Sequence, residues 1–179
     1  MSRDLEDLVV LTGGPGAGKT TLIAELVRRG HRARPESARR ILKEQALFGG
    51  RATGPTDRVL FAETILAWEV RAWVDEQACE GLVFFDRAAP EAAAMLGLPP
   101  PDHFARAAAR FRFARRVFIA PPWREIYVQD EERRQTWDEA LATDAACRAA
   151  YAYFGYDLVE LPLTDVSARA DFVERCCGL

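Results

Sequence analysis

Unbroken apolar runs of four residues, Leu8 to Leu11, Leu82 to Phe85 and Val117 to Ala120, have the length and pattern of strands buried on both faces. Tyr156 to Leu161 reads as a further strand, and the short polar stretch His31 to Pro35 as an edge strand. Between them the periodicity changes to that of helices. Leu22, Ile23, Leu26 and Val27 recur at helical spacing and Gly30 follows as a stop, while Glu36 to Leu47 turns helical before the glycine-rich loop of residues 48–55. Thr56 to Glu80 reads as a long helix with Leu66, Val70, Trp73 and Val74 as its apolar stripe. Pro90 to Leu96 is helical in composition, His103 to Arg115 resumes as helix, and Thr136 with Glu139 forms a capping-box signature for a helix that Gly155 ends. Asp165 to Cys177 closes the chain as a helix. Five strands alternating with helices predict a parallel sheet in a three-layer α/β sandwich, with ligands at the carboxyl ends of the strands.

The first strand runs into Thr12-Gly13-Gly14-Pro15-Gly16-Ala17-Gly18-Lys19-Thr20-Thr21. Gly13, Gly18, Lys19 and Thr20 fit G-x-x-x-x-G-K-[ST] between a strand and a helix, which is the context that makes the motif specific. Glycines let the backbone curl until its N–H groups face a di- or triphosphate, and the helix starting near Gly18 adds its positive end. Lys19, on a loop expected to face solvent, is placed to reach the β- and γ-phosphates of ATP or GTP. The Thr20 hydroxyl is a hard oxygen donor suited to Mg²⁺.

Composition narrows the picture. At 179 residues, 49% of them hydrophobic and 28% charged, the chain suits one globular domain with a full core. A net charge of −3 supplies no global field for nucleic acid. The start of the chain lacks signal-peptide character and no apolar run approaches a membrane span, so a cytoplasmic protein is expected. Cys79, Cys147, Cys176 and Cys177 show no C-x-x-C spacing and read as reduced thiols.

Other positions carry chemistry at the strand ends. Asp86 closes the third strand, where a carboxylate holds Mg²⁺ beside a phosphate-binding loop or else caps the helix near Pro90. Arg87 contacts a substrate phosphate, braces Glu36, or lies in solvent. Glu36, after the second strand, accepts the proton of an attacking hydroxyl or stabilises a helix N-terminus. The segment 123–135 reads as a lid in which Arg124, Arg133 and Arg134 are candidates to neutralise a moving phosphoryl group, against the alternative of a salt-bridged surface helix with Asp130, Glu131 and Glu132. Arg106, Arg110, Arg112, Arg115 and Arg116 make one helix basic, but Phe104, Ala107, Ala108, Phe111 and Ala114 supply its buried stripe and the arginines spread around the flanks.

Gly13 to Thr20, Pro35-Glu36-Ser37-Ala38-Arg39, Phe84-Phe85-Asp86-Arg87, and Ala120-Pro121-Pro122-Trp123 followed by Asp130-Glu131-Glu132-Arg133-Arg134 together resemble the kinase-like P-loop AAA-type domains. Relatives of that group include the nicotinamide riboside kinase domain and, more distantly, deoxynucleoside kinases. The resemblance runs nearly end to end and implies a P-loop NTPase sandwich with sheet order 2-3-1-4-5. It implies Glu36 as base, Asp86 and Arg87 as organisers of metal and phosphates, and adenine near Pro162 to Val166. It does not extend to the motor ATPases, because Asp86 is followed by Arg87 where they carry Glu.

The expected function is ATP- and Mg²⁺-dependent transfer of a phosphoryl group to the hydroxyl of a small, nucleoside-like acceptor. Two alternatives share the fold. A polynucleotide end kinase would use the basic helix and show a steep salt dependence, and a nucleotide-binding switch would hydrolyse slowly without phosphorylating any acceptor.

Overall fold

The computed structural model describes residues 5–127 and 135–179. Five strands, β1 (Leu8–Gly13), β2 (Arg32–Arg34), β3 (Val83–Asp86), β4 (Arg116–Ala120) and β5 (Asp157–Glu160), form one sheet in the order β2-β3-β1-β4-β5. Every pairing is parallel. The register sets Leu11 against Asp86 and Gly13 against Ala120, so the end of β1 is flanked by the ends of both neighbours.

Side-chain alternation along β1 divides the core between two faces. Val9 and Leu11 pack with Leu22 and Leu26 of α1 (Lys19–Arg28) and with Ala170 and Val173 of α7 (Val166–Cys176). Leu8 and Val10 join Val83, Phe85, Val117 and Tyr151, the last from α6 (Trp137–Tyr153). The helices α2 (Ser37–Phe48), α3 (Arg58–Glu76), α4 (Ala89–Ala94) and α5 (Asp102–Arg110) share a third cluster around Ile41, Phe61, Ala62, Ile65 and Phe104.

The polar edge strand β2 is fastened by charge. Arg32 and Arg34 pair with the buried Glu76 of α3 at 2.8 and 2.7 Å. The capping box at Thr136 and Glu139 forms as the sequence indicates.

Three expectations need correction. α5 ends at Arg110, so Phe111 and Ala114 lie outside it, and Ala114 is buried because its N–H bonds Leu8 O at the entry to β4. The buried face of α3 is Phe61, Ala62, Ile65, Leu66 and Glu69, while Val74 is exposed, since α3 is covered by α2 and α4 from one side. The basic residues near α5 are partly structural: Arg112 donates to Phe154 O at 2.7 Å and lies over the Tyr156 ring. Among the described residues all four cysteines are free thiols, and no helix is long and apolar enough to cross a membrane.

Candidate functional site

The carboxyl ends of β1, β3 and β4 open into a cavity of about 1160 Å³, and Pro15, Gly16, Ala17, Gly18, Lys19, Thr20 and Thr21 are among the residues that line it. Gly13 and Gly14 are not. Gly13 has φ +126°, and a side chain there would collide with the Ala120 carbonyl of the neighbouring strand, so glycine alone lets the loop leave the sheet. Thr20 and Thr21 are exposed at the start of α1, where unpaired N–H groups and the helix dipole favour an anion.

Lys19 departs from expectation. It is buried, only 8% exposed, and Nζ donates to Gly13 O and Gly14 O at 2.7 Å each. Burial, and then the Arg87 charge, lower its pKa to about 8, against the opposing pull of Asp86, Glu36 and Glu91. The loop is therefore tied inward by its own lysine.

Arg87 follows β3 with φ +75°, a left-handed conformation costly for a residue with a side chain, and it is held there by several partners. Its N–H bonds Leu11 O at 3.0 Å. Its guanidinium reaches Glu36 Oε1 at 3.1 Å, Gly13 O at 3.1 Å and Glu91 Oε2. Of its possible roles, the brace for Glu36 is the one the structure displays. Glu36 is the N-cap residue of α2, but its side chain makes no cap bond; it faces the cavity between Arg87 and Arg39, the latter at 3.7 Å.

Asp86 lies just beneath this group, 7% exposed, and its Oδ1 is buried with no hydrogen-bond partner among the described residues. Desolvation raises its pKa to about 6, with Lys19 opposing. No cap bond from Asp86 to α4 forms, since Ala88 is the N-cap residue there. Among the described residues no cluster of three or more His, Cys, Asp or Glu side chains makes a ready metal cage. A magnesium site completed by phosphate oxygens needs only one or two protein ligands, and the orphaned Asp86 oxygen and the Thr20 hydroxyl at the start of α1 are donors of the right chemistry for it.

Three residues not singled out in the sequence join the site. Glu91, in the first turn of α4, accepts from Thr12 at 2.5 Å and Tyr151 at 2.9 Å besides Arg87, and it lines the cavity. Its pKa is lowered against strong desolvation by Arg87 and these hydrogen bonds. Glu69 of α3 is 4% exposed and accepts from Ser37 at 2.6 Å; burial raises its pKa to about 8, with Ser37 opposing. A carboxylate on the same helical face as Ala62, Ile65 and Leu66 was the available sign. Arg169 of α7, 3% exposed, donates to Ala17 O at 3.0 Å and falls at core spacing with Ala170 and Val173.

Arg124 places its guanidinium over Trp137 at 5.0 Å and is not among the residues that line the cavity, which Trp123, Ile126 and Gln135 reach. Arg133 and Arg134 lie outside the described residues, as do Asp130, Glu131 and Glu132.

Two outcomes follow from the buried carboxyls. Unfolding releases the Glu69 proton at any pH between its ordinary value and about 8, so this group's contribution to stability falls as pH rises through that window. Glu69→Gln, which keeps the acceptor for Ser37, is expected to flatten the decline by about 1.4 kcal/mol per pH unit at most; melting curves from pH 5 to 8 check it. Asp86 has the same sign over a lower window, ending near 6. Asp86→Asn is therefore expected to raise the melting temperature at pH 7 while weakening the Mg²⁺ dependence of turnover more than nucleotide binding. An unchanged metal titration would remove Asp86 from metal binding.

No curated protein matches the chain closely enough to count as a relative. Among solved structures it is similar to a NadR protein in complex with NR, at 20% identity and TM-score 0.69, over 98% of this chain and 52% of that one. It is also similar to NadR in complex with NAD and AMP-PNP, at 20% identity and TM-score 0.62, over 98% of this chain and 50% of that one. The chain thus has the fold of these structures and spans about half their length. A family model described as an AAA domain matches residues 8–169, from the start of β1 into α7, and with the phosphate-binding loop and the 2-3-1-4-5 sheet in place the chain belongs to that AAA domain family.

Proposed function

We propose that this chain is a phosphotransferase that moves the γ-phosphoryl group of ATP to a hydroxyl of a small, nucleoside-like molecule. The observation that carries the reading is that one cavity is lined both by the phosphate-binding loop and by Glu36, Ser37, Glu69 and the apolar Leu42, Phe61, Ile65 and Met95. A switch that only binds nucleotide has no need of that second group of residues. An acceptor with a flat apolar body and hydroxyls suits such a wall. The structural likeness to NadR bound to NR and to AMP-PNP supports the same reading.

The loop N–H groups and Lys19 bind the phosphates of ATP or GTP, with the base near Pro162 to Val166 by resemblance. Thr20 and Asp86 would hold Mg²⁺, which supplies positive charge to the phosphate oxygens when bound. Glu36, aimed by Arg87 and Arg39, takes the proton of the acceptor hydroxyl. Glu69 is a poor alternative base, because with a pKa near 8 it is mostly protonated at neutral pH. Arg133 or Arg134, from the segment 123–135, would neutralise charge on the transferring group. Incubation with labelled ATP and a panel of nucleosides and related polyols is expected to yield a labelled acceptor; slow hydrolysis with no labelled acceptor would overturn the transferase reading.

A further inference from the structure

Three residues of α3 line the cavity, Phe61, Ile65 and Glu69, and their spacing of four sets them in one stripe along the helix. At a helical rise of about 1.5 Å per residue the stripe is about 12 Å long, apolar at two positions and carboxylic at the third. The carboxylic end is tied to the start of α2. Glu69 Oε1 accepts from the Ser37 hydroxyl at 2.6 Å, and Ser37 follows Glu36 directly in the chain.

The surroundings of Glu69 suit a carboxylic acid and not a carboxylate. It is buried on the face of α3 that also carries Phe61, Ala62, Ile65 and Leu66, and no lysine or arginine pairs with it among the described residues. The charged groups on neighbouring elements do not replace such a pair. Arg87 is opposed by Asp86 at the end of β3 and by Glu91 of α4, and on the α2 side Glu36 lies between Arg87 and Arg39. Burial raises the Glu69 pKa to about 8, so the proton stays on at neutral pH. With Oε1 accepting from Ser37, the proton belongs on Oε2, which has no hydrogen-bond partner among the described residues. An O–H donor left unmet in an apolar wall is costly, and a ligand oxygen relieves it.

We propose that Glu69 determines specificity for the acceptor: its carboxyl O–H donates to an acceptor oxygen or ring nitrogen close to the hydroxyl that Glu36 deprotonates, and Ile65 and Phe61 take the apolar body further along the stripe. The group that faces Glu69 is thus a hydrogen-bond acceptor, and a cation or a second lone donor at that point is rejected.

The inference rests on the phosphotransferase reading only for the presence of a nucleoside-like acceptor, so its tests read protonation and binding and not transfer. Infrared difference spectra of the ligand-free protein at pH 6, wild type minus Glu69→Gln, are expected to show the C=O stretch of one protonated carboxyl. Carboxylate bands in its place overturn the proposal whatever the acceptor. Calorimetric titrations of adenosine and cytidine, neither of which changes protonation between pH 7 and 9, read the contact itself. Wild-type affinity should fall about tenfold over that range, since the share of the competent acid form falls by that factor. Glu69→Gln offers an amide N–H in place of the O–H and still accepts from Ser37, so it should bind at pH 7 about as tightly as the wild type and lose the pH dependence. Glu69→Leu, with no donor, should bind several-fold to about tenfold more weakly at pH 7. Binding of inorganic tripolyphosphate to the loop should be unaltered in both variants. A decline with pH that persists in Glu69→Gln places the titrating group elsewhere and refutes the contact, as does tripolyphosphate binding that falls together with nucleoside binding. If Glu69→Leu fails to fold, the Glu69→Gln profile decides. A wild type that binds neither nucleoside at pH 7 removes the nucleoside-like acceptor and this contact together, whereas binding that is indifferent to pH overturns the contact alone.

Discussion

Glu36→Gln is expected to slow transfer to the acceptor by about 10²- to 10⁴-fold, the range for loss of a general base, while ATP affinity stays near that of the wild type. The amide keeps the shape and can still receive a hydrogen bond from Arg87, so the lost element is the base itself. Glu36 lines the cavity with Ser37 and Arg39, at the start of α2. Pre-steady-state measurement of acceptor phosphorylation beside ATP titration checks both halves. Equal transfer rates would reduce Glu36 to a partner of Arg87. A fall in ATP affinity with matching loss of hydrolysis would place it on the nucleotide side and leave the kinase reading without its base.

Lys19→Ala is expected to reduce turnover by about 10²- to 10³-fold under saturating ATP and Mg²⁺, the usual consequence of removing one charge-stabilising donor. The fold should survive, but not because the side chain is exposed. Lys19 is desolvated, and a pKa lowered to about 8 means that below that value the folded chain carries the charged amine at a cost relative to the unfolded chain, where it is better solvated. The sign follows directly. This group's contribution to stability is least favourable below about pH 8 and improves as pH rises towards the ordinary lysine value, where the unfolded chain also gives up its proton. Removing the amine at pH 7 thus removes a cost, and the ligand-free variant should melt no earlier than the wild type. On the proposed reading a phosphate would draw Nζ away from Gly13 O and Gly14 O and replace both hydrogen bonds. Calorimetric melting beside steady-state turnover tests the pair of effects, and near-normal turnover would take the loop lysine out of the mechanism.

Fold and phosphate-binding loop were legible from local pattern. Four-residue apolar runs between helical segments give parallel strands because a buried strand and its crossover helix each write their own periodicity. The loop is legible because the backbone path itself selects residue types: Gly13 passes against Ala120 O and Lys19 opens α1. Asp86 was legible for the same reason, being the last residue of a strand. Sheet order came from resemblance and not from the runs, since which strands pair depends on contacts far apart in sequence.

Tertiary structure alone decided the rest. It turned α3 so that Glu69 faces Ser37, and carried Arg169 across more than 150 residues of sequence to the Ala17 carbonyl, an interval of 152. It also converged Thr12, Glu91 and Tyr151 from three elements, Glu36 from the N-cap of α2 and Arg87 from the turn after β3 on one part-buried network. A charged residue in a helix reads from sequence as surface, because its solvation is the default. Only the packing of a second element over it reveals whether water has been replaced by a fixed partner, and that replacement is what shifts a pKa or holds a carboxylate against an arginine.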